Sequence, residues 1–398
     1  MLKNKTVVLG VTGSIAAYKM ANVASMLVKL GASVHVIMTN NATQFITPLT
    51  FETLTGNKCI VDTFDRNFQF DVKHISLAQK ADVFLIAPAS ANIIGKIANG
   101  IADDMLSTTV MAAKCPVLIS PAMNTNMYDN KIVQRNIELL KEYGYKFIEP
   151  ATGRLACGAR GKGKLPEESV LVEHVLCEIA KEKDYAGKTV LVTAGPTVEK
   201  IDPVRYITNH SSGKMGYAVA KMALLRGAGV ILVSGPVNIK PPLGCELINI
   251  TSAQDMYEAV MAHMDECDII IKCAAVADYR PKHQAAEKIK KQDSDGVIEL
   301  ERTKDILMYL GENKKPGQII CGFSMETENM LENSVNKLHK KNADMIIANS
   351  LKDEGAGFKG DTNIITIITE KETKKLPIMT KEEAADVILD EILMQLLK

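Results

Sequence analysis

The sequence predicts an α/β protein built of two doubly wound domains in tandem, and three observations carry that expectation. Short apolar runs alternate with amphipathic helical stretches along most of the 398 residues. The alternation restarts after a polar, glycine-containing stretch at residues 181–188. Each half also opens on the same device, a hydrophobic strand running into a Gly/Ser/Thr-rich turn that begins a helix. In the first half this is residues 6–19; in the second it is residues 189–197, followed by Asn-His-Ser-Ser-Gly-Lys-Met-Gly at 209–216. Such a turn presents backbone N–H groups and a helix N-terminus, a natural seat for phosphate. Two of them imply two phosphate or nucleotide sites on one chain.

In the first half, residues 6–11, 33–38, 82–87 and 116–120 read as parallel strands covered on both faces. Residues 15–30, 93–99 and 103–113 read as the helices between them. Ligands of such sheets sit beyond the C-terminal strand ends. A helical segment near 167–183 leads to a boundary near Tyr185–Gly187, so the expected domains are residues 1–186 and 187–398. The second half repeats the pattern, with strands at 189–193, 229–233, 268–273, 318–323 and 344–348 and helices near 214–227, 252–265, 327–341 and 381–397. Residues 288–301 read as a hairpin closed by Asp295-Gly296.

Composition narrows the function. Lys plus Arg and Asp plus Glu each number 47, so charge marks neither a nucleic-acid nor a membrane-surface binder. Aromatics make up 5% and Trp is absent, which disfavours base-stacking surfaces. No apolar run approaches transmembrane length and the N-terminus has no signal-peptide cleavage pattern, so a cytoplasmic protein without membrane or nucleic-acid partners is expected. The eight cysteines are scattered without CxxC or metal-ligand spacing, as for reduced thiols.

Neither glycine-rich turn satisfies G-x-G-x-x-G, and neither second strand ends in an acidic residue that would hold an adenosine ribose. The strand at 33–38 instead runs into Thr39-Asn-Asn-Ala-Thr43. This disfavours NAD and suits a phosphomonoester such as a flavin mononucleotide, with an unliganded strand–turn–helix still open on these residues alone. Segments 87–92 and 120–128 follow strand ends, and 153–166 is a glycine-rich basic loop with four glycines and four cations, suited to folding over an anion. Asn124 is a candidate grip for a substrate carboxylate or amide. Cys157 is a candidate acid or nucleophile, and His74, placed just ahead of a helix, a candidate base or carboxylate anchor. Taken singly, a Cys is as readily a small apolar residue, and a His an ordinary hydrogen-bonded one.

In order along the first half stand Gly-Ser-Ile-Ala-Ala-Tyr-Lys, Lys73-His74-Ile75, Pro-Ala-Ser-Ala-Asn, Ala-Asp-Asp-Met-Leu-Ser, Pro-Ala-Met-Asn-x-x-Met and Leu-Ala-Cys-Gly. Together they resemble the flavin-containing cysteine decarboxylases, most closely the phosphopantothenoylcysteine decarboxylases, and imply a Rossmann-like domain of that type. The resemblance implies a bound FMN that oxidises the cysteinyl side to a thioaldehyde, so that carboxylate loss is easy, and then reduces the resulting enethiolate. It implies His74 for decarboxylation, Asn124 for the carboxylate and Cys157 as proton donor, with Gly13, Ser14, Thr39, Ser90 and Ser107 around FMN. The family's Met-Trp is Met127-Tyr128 here.

The second half has no Walker A motif, yet it is rich in anion donors. Residues 209–216 enter a helix N-terminus, segment 272–281 follows a buried strand with small residues and Asp278, and Lys288-Ile-Lys-Lys suits either a cationic flap or a solvated edge strand. Ala-Gly-Pro-Thr-x-Glu, Asp-Pro-Val-Arg-Tyr-Ile-Thr-Asn, Ser-Ser-Gly-Lys-Met-Gly, Ala-Ala-Val-Ala-Asp-Tyr, Lys-Ile-Lys-Lys and Gly-Phe-Ser-Met-Glu-Thr together resemble the bacterial, CTP-using phosphopantothenate–cysteine ligases. That resemblance implies activation of a carboxylate as an acyl-cytidylate and its displacement by the cysteine amine. Asn209 would hold the acyl-cytidylate and Lys288 the transferring phosphate. Asp278, Lys304, Asp305, Ile306, Leu307, Phe323, Lys337 and Lys341 would contact CTP. Mg²⁺ or Mn²⁺ would bridge the phosphates through protein ligands that no motif identifies. Lys304 stands where the family usually has Pro.

Both resemblances together imply a bifunctional ligase–decarboxylase of coenzyme A biosynthesis, with 4′-phosphopantothenate, cysteine and CTP as substrates and 4′-phosphopantothenoylcysteine as the shared intermediate. They also imply a homo-oligomer, trimeric through one half and dimeric through the other, giving a dodecamer. The rivals are a flavin-dependent peptidyl-cysteine decarboxylase with an unrelated second domain, a non-catalytic regulatory flavoprotein, and an NAD-dependent reductase.

Overall fold

The computed structural model describes residues 1–64, 73–155, 158, 160–290, 297–326, 328–350 and 360–396. They form two units, Met1–Glu182 and Lys183–Lys398.

In the first unit, β1 (Thr6–Val11), β2 (Ser33–Met38), β3 (Val83–Ala89), β4 (Val117–Pro121) and β5 (Lys146–Phe147) pair in parallel in the order β2-β1-β3-β4-β5. The unbroken apolar runs of β1 and β3 follow from burial on both faces. Helices α1 (Met20–Lys29), α2 (Pro48–Thr55), α3 (Lys73–Lys80), α4 (Ala91–Ala98), α5 (Met105–Ala112), α6 (Thr125–Tyr128), α7 (Lys131–Glu142) and α8 (Glu168–Ile179) connect and follow these strands. Val8, Phe84, Ile86 and Ile119 of the sheet pack with α4, α5 and α7 through Ile93, Leu106 and Ile137. The chain moves from β1 to β2 on one side and returns to β3 on the other. The topological switch point, where ligands of such sheets bind, therefore lies between β1 and β3.

Three expectations need correction here. The helix expected over 15–30 is a 3₁₀ turn, Ile15–Lys19, running into α1; Ser14 caps the turn, its Oγ accepting from Ala16 N at 3.3 Å. His74 lies inside the first turn of α3 rather than ahead of it. The basic loop is an antiparallel ribbon of β6 (Ala151–Arg154) and β7 (Arg160–Lys164). Its glycines serve close approach rather than looseness. At Gly163, with φ 123°, a Cβ would stand 2.3 Å from Met123 O. Met123 N donates to Gly163 O at 3.0 Å and Thr125 Oγ1 donates to Lys162 O at 2.8 Å. The ribbon is thereby docked on the segment that carries Asn124.

In the second unit the strands are β8 (Thr189–Ala194), β9 (Val198–Lys200), β10 (Tyr206–Thr208), β11 (Gly229–Ser234), β12 (Glu246–Asn249), β13 (Ile269–Lys272), β14 (Tyr279–Pro281), β15 (Leu300–Arg302), β16 (Ile319–Glu326), β17 (Met345–Ser350), β18 (Thr362–Asn363), β19 (Thr366–Thr369), β20 (Thr373–Lys375) and β21 (Met379–Thr380). The main sheet runs β12-β11-β8-β13-β16-β17-β19-β20, parallel as far as β17 and antiparallel at its last two strands. Helices α9 (Lys214–Leu225), α10 (Ala253–His263), α11 (Ile306–Asn313), α12 (Met330–Lys340) and α13 (Lys381–Leu396) complete the unit. One face buries Ile231, Ile270, Ile320 and Ile346 against Met256 of α10, Leu310 of α11 and Leu338 of α12. Helices α9 and α13 pack on each other and reach β8, β11 and β16. The antiparallel edge of β19 and β20 escapes a reading that looks for long apolar runs, because it is short.

The hairpin expected over 288–301 also needs correction. Residues 288–290 carry no strand, and β15 pairs instead with β14, Pro281 opposite Leu300. The Asp295-Gly296 turn and Lys291 lie outside the described residues. The Lys288 segment is held elsewhere, through hydrogen bonds of Ile289 with Asp202 and Arg205.

The second unit is closed by one cation. The Arg226 side chain, only 4% exposed, meets Asp184 at 2.5 Å, Asp390 at 2.7 Å and Asp386 at 3.5 Å. Its guanidinium also lies 4.9 Å from the Tyr185 ring centroid, while Tyr185 Oη donates to Leu389 O at 2.5 Å. The clamp joins the first residues of the unit to its last helix. Arg226→Ala leaves three carboxylates clustered without their cation, and is expected to cost about 2–4 kcal/mol. The measurement is the urea midpoint of the second unit's transition; a loss below about 0.5 kcal/mol would show that the clamp does not hold the unit.

Candidate functional site

The first unit holds a cavity of about 430 Å³ between the ends of β1, β3 and β4 and the β6–β7 ribbon. Thr12, just past β1, forms its hinge: Oγ1 donates to Pro88 O at 2.6 Å and accepts from Ser90 N at 3.0 Å. Gly13 and Ser14 line one wall, Ser90 and Ala91 a second, and Asn124 with Met127 a third. Lys19, Arg154 and Lys164 bring positive charge, while Ile15, Ala122, Met123, Leu155 and Leu165 supply apolar surface. Asn124 caps α6, its Oδ1 accepting from Asn126 N at 2.9 Å. A lining that combines cations and hydroxyls with mostly apolar surface fits a phosphorylated planar cofactor such as FMN.

Of the residues expected here, Gly13, Ser14, Ser90 and Asn124 come together around the cavity; Thr39, Ser107 and His74 do not line it. Thr39 sits at the end of β2, its Oγ1 accepting from Ala42 N at 3.3 Å. Ser107 is buried in the capping box of α5, where its Oγ donates to Asp104 at 2.9 Å. Burial works against ionisation of Asp104, but hydrogen bonds from Lys96 and Ser107 outweigh it and hold the carboxyl below its ordinary range. Cys157 lies outside the described residues. At the Met127-Tyr128 departure, Met127 lines the cavity whereas Tyr128 is buried in the core, with its hydroxyl 3.4 Å from Glu149.

The second unit holds a cavity of about 620 Å³ at the ends of β13 and β16. Eight of the nine residues expected around CTP line it: Asp278, Lys304, Asp305, Ile306, Leu307, Phe323, Lys337 and Lys341. Asp305 caps α11, accepting from Met308 N at 2.9 Å, and pairs with Lys341. Burial opposes its charge, yet Lys341 and the α11 amide outweigh burial and keep the carboxyl below its ordinary range. Lys337 Nζ donates to Phe323 O at 2.9 Å. Gly311 makes the Lys341 placement possible, since a Cβ there would stand 1.8 Å from Lys341 O. Lys304 lies with its ammonium 4.3 Å from the Tyr257 ring centroid.

Asn209 and Lys288 stand apart from this lining. Asn209 Nδ2 donates to Ala275 O at 3.1 Å, on the same loop whose Val276, Ala277 and Asp278 line the cavity. Lys288 is exposed on a segment tied to the β9–β10 hairpin. Ile289 N donates to Asp202 Oδ2 at 3.2 Å, and Arg205 donates to Ile289 O at 2.9 Å. The Arg205 guanidinium holds the Asp202 carboxyl far below its ordinary range, helped by three backbone N–H groups and opposed by burial. Among the described residues no three His, Cys, Asp or Glu side chains gather to hold a metal ion, and no helix is long and apolar enough to cross a membrane.

Sequence reasoning missed Lys272, the last residue of β13. It lines the cavity at only 7% exposure. The signal was present in Ile-Ile-Ile-Lys: strand alternation puts Lys272 on the face of Ile270, which packs toward α10.

Two family models match the chain, the Flavoprotein family over residues 1–180 and the DNA/pantothenate metabolism flavoprotein C-terminal domain over residues 185–396. The coenzyme A biosynthesis bifunctional protein CoaBC of Bacillus subtilis (strain 168) is 50% identical over 396 residues, covering 98% of this chain and 97% of that protein. CoaBC of Borreliella burgdorferi is 44% identical over 392 residues, 98% of this chain and 99% of that one. A crystal structure of the C-terminal domain of a CoaBC protein is 49% identical, covers 54% of this chain and 98% of its own, and superposes with a TM-score of 0.47. The second half is thus no unrelated appendage to a flavoprotein: the chain belongs to the CoaBC family of bifunctional coenzyme A biosynthesis proteins.

Proposed function

We propose that the protein joins cysteine to 4′-phosphopantothenate at the expense of CTP and decarboxylates the product to 4′-phosphopantetheine. Residues 187–398 carry the first step and residues 1–186 the second. The observation that carries this reading is the second cavity, where Lys272, Arg302, Lys304, Lys337 and Lys341 face only Asp278 and Asp305. Five cations against two carboxylates suit a nucleoside triphosphate. A pocket with apolar walls and a cationic end in the flavoprotein half supports the second step.

In ligation the substrate carboxylate oxygen bonds to the α-phosphorus of CTP as the bond to pyrophosphate breaks. The cysteine amine then bonds to the acyl carbon, CMP leaves, and the amine proton passes to solvent. Lys337 and Lys341 hold the polyphosphate, and Asn209 on the Ala275 loop holds the acyl-cytidylate. Lys288, on its anchored segment, neutralises charge growing at the transferred phosphorus. Mg²⁺ or Mn²⁺, if bound with the nucleotide, would neutralise charge on its phosphates.

In decarboxylation, FMN supplies a two-electron acceptor and donor when bound. Ser14 and Ser90 hydroxyls with Lys19, all lining the cavity, would hold its phosphate, and Thr39 and Ser107 would support the surrounding turns. Asn124 grips the departing carboxylate, His74 serves the decarboxylation step, and Cys157 donates the final proton. A second copy of the chain would cover Val204, Tyr206, Tyr279 and Leu300, apolar residues 47–59% exposed on the two small ribbons β9–β10 and β14–β15, in keeping with a homo-oligomer.

Purified protein is expected to be yellow and to convert 4′-phosphopantothenate, cysteine and CTP to 4′-phosphopantetheine, CMP and pyrophosphate. Colourless protein that still ligates would remove the decarboxylase; turnover of preformed 4′-phosphopantothenoylcysteine alone would remove the ligase. Cys157→Ser should stop at a decarboxylated, oxidised product, seen by mass spectrometry, while CMP release continues; an unchanged phosphopantetheine yield would exclude the thiol as proton donor. Lys288→Gln should lower ligation about 10²-fold or more and leave decarboxylation of preformed intermediate intact, whereas equal loss of both would point to misfolding.

A further inference from the structure

Lys272 is a buried cation without a counter-charge of its own. Among the described residues its Nζ has one hydrogen-bond partner, Met256 Sδ at 3.8 Å, and no ion pair. Asp305, the acid across the cavity, is already paired with Lys341. Buried charges are ordinarily paired, because desolvation without compensation is costly. The exception here stands at the mouth of a parallel-sheet crevice, where ligands bind, and its side chain lines that crevice. The groups that face it are Asp305 ahead of α11, Lys337 of α12 and Cys273 on its own strand, with Asp278, Arg302, Lys304 and Lys341 on the cavity walls.

We propose that Lys272 is a further binding residue of the ligase site, its missing partner being an anionic phosphate oxygen of the bound nucleotide, and that nucleotide binding is therefore coupled to proton uptake at its Nζ. The inference rests on the reading of this cavity as the CTP site. Burial drives the ammonium of the free protein down to about 7, with Lys337 lowering it further and Asp305 opposing. A phosphate oxygen at hydrogen-bond distance restores the charged form. Above pH 7 the free protein thus holds Lys272 largely neutral, and the complex holds it protonated. Binding then consumes a proton, and affinity falls as pH rises.

The test uses the full-length protein and Mg²⁺–CTP at pH 8, where the nucleotide is fully ionised. Titration calorimetry in HEPES and in Tris, buffers of different ionisation enthalpy, counts the protons. Wild type should take up about one proton per site and lose affinity between pH 7 and 9 by a factor approaching tenfold per unit. Lys272→Met, which refills the slot with an apolar chain, should bind about tenfold or more weakly with no proton uptake. Lys272→Arg, charged throughout, should bind within a few fold of wild type, with neither proton uptake nor that pH slope. A cooperative urea transition of the second unit, retained in each variant, certifies that the unit carrying the substitution is folded. Proton uptake in Lys272→Arg equal to wild type, or wild-type affinity in Lys272→Met, would overturn the proposal. Wild-type protein that binds no CTP at all would overturn the reading of the cavity and this proposal with it, whereas the variant results overturn only the role of Lys272.

Discussion

The second unit turns on a main-chain exchange between two strand-end loops. Ala275 N donates to Gly195 O at 2.9 Å, and Thr197 N donates to Ala275 O at 3.2 Å. Parallel strands separated by a switch point have no hairpin to hold their ends together, so a crevice opens there unless the loops beyond them are joined. Hydroxyls complete the join, Thr193 Oγ1 accepting from Ala274 N at 3.1 Å and Thr197 Oγ1 from Ala277 N at 3.0 Å. With that loop pinned, Ala275 O is presented to Asn209 on one side, and Val276 to Asp278 are presented to the second unit's cavity on the other. Thr303, whose Oγ1 donates to Ala277 O at 2.6 Å, then carries the pinning on to Lys304 and Asp305. The first unit uses the same physics with one residue, Thr12, whose hydroxyl spans from β1 to both sides of the β3 exit.

A shared frame leaves the chemistry to what lines each crevice. In the first unit the cavity walls are mostly apolar with three cations, and the ribbon of β6 and β7 closes over the Asn124 segment through Gly163. That arrangement favours a flat cofactor held for many turnovers. In the second unit five cations and two carboxylates line the cavity, and of those acids Asp305 is closely paired, with Lys341. Such a site favours a highly charged co-substrate that arrives and leaves each cycle. A resident cofactor in one unit and a consumed nucleotide in the other would serve the proposed ligation and flavin-dependent decarboxylation.

Most of the frame was legible in the sequence because doubly covered parallel strands leave a strong signal, unbroken apolar runs bounded by glycine and proline. The runs at 6–11 and 33–38 coincide with β1 and β2 to the residue. What escaped lacks such a signal. The Gly-Lys-Gly-Lys of β7 carries no apolar alternation, since its partner is the Met123–Thr125 backbone rather than a core. The pairing of β15 with β14 could not be told from a local hairpin, because Lys288-Ile-Lys-Lys alternates as a strand would. Among site residues, those in contiguous motifs at strand ends were found, whereas the distances separating His74, Ser107 and Lys288 from the cavity linings depend on helix and ribbon packing that spacing does not encode.

Lys272 illustrates the opposite case, a signal present but unread. In a strand buried on both faces, every position has the same apolar demand until the chain leaves the sheet. A lysine closing Ile-Ile-Ile at 269–271 therefore violates the local rule at the one place where a parallel sheet meets its ligand. A solvated lysine would be reached by extending the side chain past the strand end, but this one stays 7% exposed, with a thioether as its ammonium's one hydrogen-bond partner among the described residues. The sheet pays for the violation in stability, and a crevice that sets four further cations against two carboxylates, one of them already paired with Lys341, leaves it undercompensated. The compensation has to come with the ligand. For that reason the residue that fits the fold least is the one that says most about what the second cavity holds.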